Sequence, residues 1–339
     1  MASFEDRLGK RASDETRLLH LGRDPEAQHG FVNAPIYRGS TVIFPTVEEL
    51  RAYDREYTYG RRGTPTVTAL TSAITALEGG HKSWVAPSGL AAVTMVLMAF
   101  AEAGADILIT DSVYQPVRRV AGRFLSKLGV ETRYYDPAIG AGISELITER
   151  TRLVLAESPG SQTFEMQDLP AIAEACRAKS VWLAFDNTWA TPLYFKPLAH
   201  GADVTIQAAT KYVVGHADAM LGIVTANERA APLVARAHED LGLCAGPEDC
   251  YLALRGLRSM GVRLARHQAA ENDVGTDLAV GAFRLWLVRG PCPAWQCASA
   301  RLEFAGNSRS VADQDSGIDI YCREHGAQLH TVAHKDRVE

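Results

Sequence analysis

The chain of 339 residues has no cysteine pairing motif. Its six cysteines, Cys176, Cys244, Cys250, Cys292, Cys297 and Cys322, include no CxxC pair. That removes the usual spacing of a zinc or dithiol redox site and points to a reduced, cytoplasmic setting. A basic block is also missing: 35 Lys and Arg stand against 40 Asp and Glu, for a net charge of -5. A nucleic-acid partner would require a basic patch that this balance does not supply. The most apolar stretch, AAVTMVLMAFAEAGA, is too short to cross a bilayer, so no membrane partner is expected. The N-terminal MASFEDRLGKRASDETRLLH is charged throughout and lacks the apolar centre of a signal peptide. No internal repeat or low-complexity tract is present. What remains is the composition of a soluble globular protein, 47% hydrophobic and 22% charged, long enough for about two domains.

From about residue 80 to residue 225 strand-like and helix-like segments alternate. SWVAPSG reads as a strand and turn, LAAVTMVLMAFAEAG as a helix, DILITD as a buried strand, and QPVRRVAGRFLSKLG as an amphipathic helix ending at Gly129. ETRYYD, RLVLAES, VWLAFD and ADVTIQAAT read as further strands, and LPAIAEACRAKS as a helix with Pro170 near its start. This order predicts an α/β fold, a mainly parallel sheet with helices on both faces, and places ligands at the carboxyl ends of its strands. The sequence before residue 80 differs. FVNAPIYRGSTVIFPTVEEL and YTYGRRGTPT, rich in Pro, Gly, Tyr and Arg, read as an extended arm and loop outside the core.

Candidate functional residues fall at the predicted strand ends. Lys211, in IQAATKYVVGHADAM, is a lone cation in an apolar stretch: either a surface lysine at the end of a strand or an amine that does covalent chemistry. Asp186 follows the apolar VWLAF; it caps a helix or holds a proton on a ring nitrogen. Ser88 and Gly89 stand where a strand turns into a helix, a plain cap or a phosphate cradle. Tyr114 is a loop tyrosine or a ring stacked on a planar cofactor. Tyr59 and Arg61 form a solvated loop or a phenol and guanidinium pair suited to phosphate.

Together these residues match the tasks of a pyridoxal-phosphate enzyme, and the chain resembles the trans-sulfuration, or Cys/Met-metabolism, family of such enzymes. The resemblance is carried by YTYGRRGTPT, LEGG, ESPGS, DNTWATPL, ADVTIQAATKYVVGHADAMLG and RGLRSMGVRLARHQ, and it runs from about residue 15 to residue 268. It implies the type I pyridoxal-phosphate transferase fold, pyridoxal 5'-phosphate as cofactor and a sulfur amino acid as the small-molecule substrate. It also implies roles, one residue at a time. Lys211 would join covalently to the cofactor and Asp186 would pair with its ring nitrogen, with Tyr114 stacked on the ring. Ser88, Gly89 and Leu90 would form the phosphate cup, Gly89 and Leu90 through backbone N–H groups, and Thr210 would add a hydroxyl. Tyr59 and Arg61 would reach the phosphate from a neighbouring subunit, which makes a homo-oligomer, dimer or tetramer, part of the expectation. Lys211, Tyr114 and Tyr59 are the residues expected to act in catalysis. DNTW and ESPGS favour β-elimination from cystathionine, giving homocysteine, pyruvate and ammonia, over the γ-type reaction. A non-catalytic protein of the same fold is the alternative from another class.

The expected organisation is an N-terminal arm at 1–65, a cofactor-binding domain at 66–250, and from 251 the start of a small C-terminal domain. That domain departs from the family after residue 268. Residues 269–339 offer no match to the arginine motif that grips the substrate carboxylate in the family, and their apolar residues show little sustained helix or strand period. A reading-frame change near codon 269 would account for the break.

Overall fold

A computed structural model describes residues 12–273. Seven strands form one sheet: β1 (Lys82–Ala86), β2 (Asp106–Thr110), β3 (Glu131–Tyr135), β4 (Thr151–Glu157), β5 (Trp182–Asp186), β6 (Val204–Gln207) and β7 (Gly222–Ala226). Their order across the sheet is β1-β7-β6-β5-β4-β2-β3. The pairs β2/β3, β2/β4, β4/β5 and β5/β6 are parallel, whereas β7 runs against both β1 and β6. The mainly parallel sheet is therefore present, with one reversed strand that the sequence reading did not single out.

Both faces of the sheet are buried, which is why its strands read as continuous apolar runs. Because successive side chains alternate, Ile107 and Ile109 pack on one face with the helix Gly89–Phe100, while Leu108 packs on the other with the helix Leu169–Ala178. Near β1 and β7 the second face is covered by the helix Pro65–Glu78 and the long helix Pro247–Asp273. The helix Pro65–Glu78 starts at the end of YTYGRRGTPT, the stretch read as a loop outside the core, and carries the chain into the core from there. Leu70, Ala73, Ile74 and Leu77 are fully buried, and each large apolar side chain removed from water contributes roughly 1.5–3 kcal/mol. The signals were in the sequence: Thr64 caps the helix, Pro65 stands in its first turn, and Gly79 ends it at φ 69°.

QPVRRVAGRFLSKLG breaks in two, an α-helix Gln115–Arg123 and a 3-10 turn Leu125–Leu128 that Gly129 closes in the left-handed region. ADVTIQAAT is extended only as far as Gln207, so Lys211 lies in the turn after β6. The helix Pro247–Asp273 crosses the domain boundary expected at residue 250. Residues 269–273 finish that helix, and the reading of the rest of the tail lies outside the described residues. Among the described residues no helix is long and apolar enough to cross a membrane.

Candidate active site

The strands β1, β2, β4, β5 and β6 point the same way, so their carboxyl ends share one edge of the sheet. Ser88, Tyr114, Glu157, Asp186 and Lys211 all follow or end those strands. A continuous path of contacts joins them. Ser88 Oγ caps the helix Gly89–Phe100 by accepting the Ala91 N–H at 3.1 Å. Helix geometry leaves the Gly89 and Leu90 N–H groups without intrahelical partners, and the positive end of the helix makes them an anion cradle. A Cβ on Gly89 would lie 2.5 Å from Ala208 Cβ, so only glycine lets the helix start approach the Lys211 turn this closely.

From Ala208 the path leads to Asp186. The Ala208 N–H donates to Thr188 Oγ1 at 2.7 Å. Thr188 in turn donates to Asp186 Oδ1 twice, from its hydroxyl at 2.6 Å and from its N–H at 3.0 Å. Thr188 thus fixes the carboxylate against the turn and leaves Asp186 Oδ2 for another donor. Across the sheet Asp186 is in register with Glu157, whose Oε2 accepts the Tyr114 N–H at 2.8 Å. Tyr114 starts the helix Gln115–Arg123, and its side chain is 47% exposed. Beneath it Gln167 donates to Thr110 Oγ1 at 3.0 Å and to the Glu157 carbonyl at 2.7 Å, a buried support for this end of the sheet.

Lys211 sits in a turn closed by its own N–H to the Ala208 carbonyl at 2.9 Å and by the Gly215 N–H to the Lys211 carbonyl at 2.8 Å. Its side chain is exposed. The long helix packs directly on this turn, since a Cβ on Gly256 would meet the Val213 carbonyl oxygen at 2.1 Å. Arg263 Nη2 donates to the Tyr212 carbonyl at 2.8 Å and to the Gly256 carbonyl at 2.8 Å, a fork that ties turn to helix. Gly215, at φ 76°, lies against that guanidinium with no room for a Cβ. Arg263→Ala should lower stability by about 1.5 kcal/mol, the lower end for charged hydrogen bonds because the group is only partly buried. A lysine lacks the Nε–H that at the same time donates to Ser259 Oγ at 3.1 Å, so it should restore the tie only in part. Urea unfolding midpoints measure the first effect, and hydrogen exchange at residues 211–215 should speed up with it; unchanged exchange would leave Arg263 no hold on the turn.

Thr210, one residue before Lys211, has its hydroxyl against Leu221. Its Oγ1 accepts the Leu221 N–H at 2.9 Å and donates to the Leu221 carbonyl at 3.2 Å, so it closes the turn onto the segment that leads into β7. Tyr59 and Arg61 reach the end of β1, beside Pro87, but do not share a cavity with Lys211. They line a cavity of about 540 Å³ with Tyr37, Pro87 and residues 244–249, and none of Lys211, Asp186 or Tyr114 borders it. Arg61 donates there to the Glu239 carbonyl at 3.2 Å.

The acidic pair states what the site will accept. Burial pushes the Glu157 carboxyl up to about 9, and the neighbouring Asp186 charge adds to the effect. Burial also pushes Asp186 up, countered by its two bonds from Thr188. Among the described residues no lysine or arginine pairs with either acid. The donor set therefore suits a ligand that brings an N–H cation to Asp186 Oδ2, a flat ring to Tyr114 and an anion to Gly89 and Leu90, and a pyridoxal phosphate has those three features. Among the described residues no group of three or more His, Cys, Asp or Glu side chains could hold a metal ion. Sequence reasoning passed over three participants. Glu157 ends RLVLAE as Asp186 ends WLAFD, and that shared pattern was the available signal. Thr188 and Arg263 stood inside motifs already singled out, without a role.

Comparison with known proteins gives a consistent picture. Residues 15–279 match the model of the Cys/Met metabolism PLP-dependent enzyme family. A Rhizobium johnstonii protein provisionally named cystathionine beta-lyase is 48% identical over 270 residues, 80% of this chain and 68% of the relative. The cystathionine beta-lyase of Salmonella typhimurium is 40% identical over 272 residues, 78% of this chain and 69% of the relative. Among solved structures, cystathionine gamma-lyase from Lactobacillus plantarum, complexed with L-serine, superposes with a TM-score of 0.74 at 28% identity, covering 79% of this chain and 69% of that one.

Proposed function

This chain belongs to the Cys/Met metabolism family of pyridoxal-phosphate-dependent enzymes, and from that membership we propose that it is a cytoplasmic carbon–sulfur lyase that converts L-cystathionine to homocysteine, pyruvate and ammonia. The observation that carries the reading is the contact path at the strand ends, from Gly89 through Ala208 and Thr188 to Asp186, which sets the Lys211 turn beside a buried acid. Free thiols at Cys176, Cys244 and Cys250 agree with the reducing compartment.

When bound, the cofactor supplies an electron sink for the pair left at Cα when its proton is removed. The chain's residues do the rest. Gly89 and Leu90 hold the phosphate through their N–H groups. Asp186 Oδ2 accepts the ring N–H and keeps that proton in place, with Thr188 fixing the carboxylate. Tyr114 covers one face of the ring. The Lys211 amine anchors the cofactor, and once displaced by substrate it takes the Cα proton as general base. Loss of the Cβ–S bond releases homocysteine, and water then takes the remaining fragment to pyruvate and ammonia. β-Elimination is favoured over the γ-type reaction by identity of 36–48% to proteins named cystathionine beta-lyase, against 33% to the cystathionine gamma-lyase of Bacillus subtilis. Product analysis tests this: the full chain with cofactor and cystathionine should give pyruvate and homocysteine in equal amounts. Formation of 2-oxobutyrate and cysteine would assign it to the γ-acting class, and bound cofactor without turnover would assign it to the non-catalytic alternative.

The active assembly is a homo-oligomer in this reading, with Tyr59 and Arg61 serving the phosphate of a neighbouring subunit. Lys211 does not line the cavity that Tyr59 and Arg61 border, which supports it, as does an arm that exposes Phe31 at 73% and Ile43 at 83%. Arg61→Ala should loosen cofactor binding by roughly ten- to a hundredfold, the effect of one charge-assisted phosphate contact. Mixing Arg61→Ala chains with Lys211→Ala chains should restore part of the activity, because some sites then draw both intact residues from different chains. If subunit exchange is confirmed and no activity returns, Arg61 acts within its own chain.

A further inference from the structure

Away from the strand ends a second cavity of about 240 Å³ is lined by Arg23, Asn33, Ala34, Tyr251, Leu254, Arg255 and Arg258. The last four occupy positions i, i+3, i+4 and i+7 of the helix Pro247–Asp273 and so share one of its faces. Arg23 is brought against that face by Gly22. At φ 69° its backbone lies so close to Ala69 and Leu254 that a Cβ would meet the Ala69 carbonyl oxygen at 2.3 Å.

Three guanidinium groups thus border one small space, and among the described residues no carboxylate lines it. Among the described residues none of the three forms an ion pair. Arg23 Nε is buried with no hydrogen-bond partner. Arg258 spends one N–H on the Leu18 carbonyl at 2.6 Å. Burial first, then repulsion from Arg23, pulls its guanidinium down to about 10. Gathering like charges and leaving a buried donor unpaired both cost stability, and this cluster stands in a chain whose net charge is -5. Such a cluster is stable when an anion completes it. The volume is below the roughly 300–1,000 Å³ of clefts for larger organic ligands. Arginine forks match the paired oxygens of phosphate, and Asn33 and Tyr251 add neutral donors.

We propose that this cavity is a phosphate-type oxyanion site, distinct from the cofactor's phosphate cradle, that fastens the Arg23–Ala34 arm to the long helix. Inorganic phosphate and a small phosphate monoester share the recognised chemistry. The full-length holoenzyme is the material to test, because its cofactor already fills the other phosphate position. At matched ionic strength, phosphate in place of chloride should raise the thermal midpoint saturably, by roughly 3 °C at tenfold excess over its Kd. Arg255→Gln removes an exposed guanidinium that holds no described contact, so it should fold normally and weaken phosphate binding about tenfold. Arg258→Gln should weaken it at least as much. Glycerol phosphate run in parallel distinguishes the sources: tighter binding than phosphate assigns the site to a monoester, weaker binding to the free ion. Absence of a saturable shift with either anion, or an equal shift in the wild type and both variants, would overturn the proposal.

Discussion

Lys211→Ala should lower the rate of cystathionine cleavage by at least about 10⁴-fold, the upper end of what a positioned acid–base group contributes, because the same amine also anchors the cofactor. The expectation rests on where the turn holds the residue. The Lys211 backbone is clamped by Ala208 on one side and Gly215 on the other, and Ala208 is tied through Thr188 to Asp186. Among the described residues no other lysine lies in the turn directly after a parallel strand; Lys211 does so after β6, the neighbour of the strand that ends at Asp186. The variant should keep its fold, since the side chain is exposed and contributes no packing. It should also still bind cofactor reversibly through Gly89, Leu90 and Asp186. Steady-state product assays together with circular dichroism check both halves. Residual turnover within tenfold of the parent would remove Lys211 from the chemistry.

Asp186→Ala should cost on the order of 10²–10³-fold in kcat, comparable to removing one preorganised charge partner at a site of developing charge. The carboxylate is buried at the end of β5, and its Oδ2 is the acceptor that the Thr188 bonds leave over. Without it the ring proton loses its acceptor and the electron sink is weaker. Glu157, in register with Asp186 across the sheet, is the neighbour that could compensate. Its carboxyl, pushed up to about 9 by burial and by the Asp186 charge, should fall once that charge is gone. Asp186→Ala should therefore retain more activity than Asp186→Ala combined with Glu157→Gln. Single-turnover measurement on both variants separates loss of chemistry from loss of cofactor. Equal rates for the parent and Asp186→Ala would contradict the role given to this acid.

The strands with both faces buried were legible because their apolar runs end in polar residues: DILIT, RLVLAE and WLAFD appear in the structure almost as read. β7 was not, because GIVTA is a short run whose antiparallel place between β1 and β6 depends on tertiary pairing. The helix Pro65–Glu78 was hidden by its surroundings, since Pro- and Gly-rich arm sequence runs up to its cap at Thr64. Lys211, Asp186, Tyr114, Ser88 and Gly89 could be picked out from residue type at a strand end. The Glu157 partnership depends on the β4/β5 register, and the Arg263 fork on the packing of a helix that brings Arg263 to Tyr212, 51 residues earlier in the chain. Neither spacing nor periodicity carries that information.

The central claim is that this edge of the sheet holds pyridoxal phosphate with Lys211 as its covalent anchor. Borohydride reduction of the full chain saturated with cofactor, followed by peptide mass mapping, tests it most directly. The account predicts one reduced phosphopyridoxyl group per chain, on the peptide that contains Lys211, and none in Lys211→Ala. A reduced group on any other lysine, or an unmodified Lys211 after cofactor saturation, would contradict it.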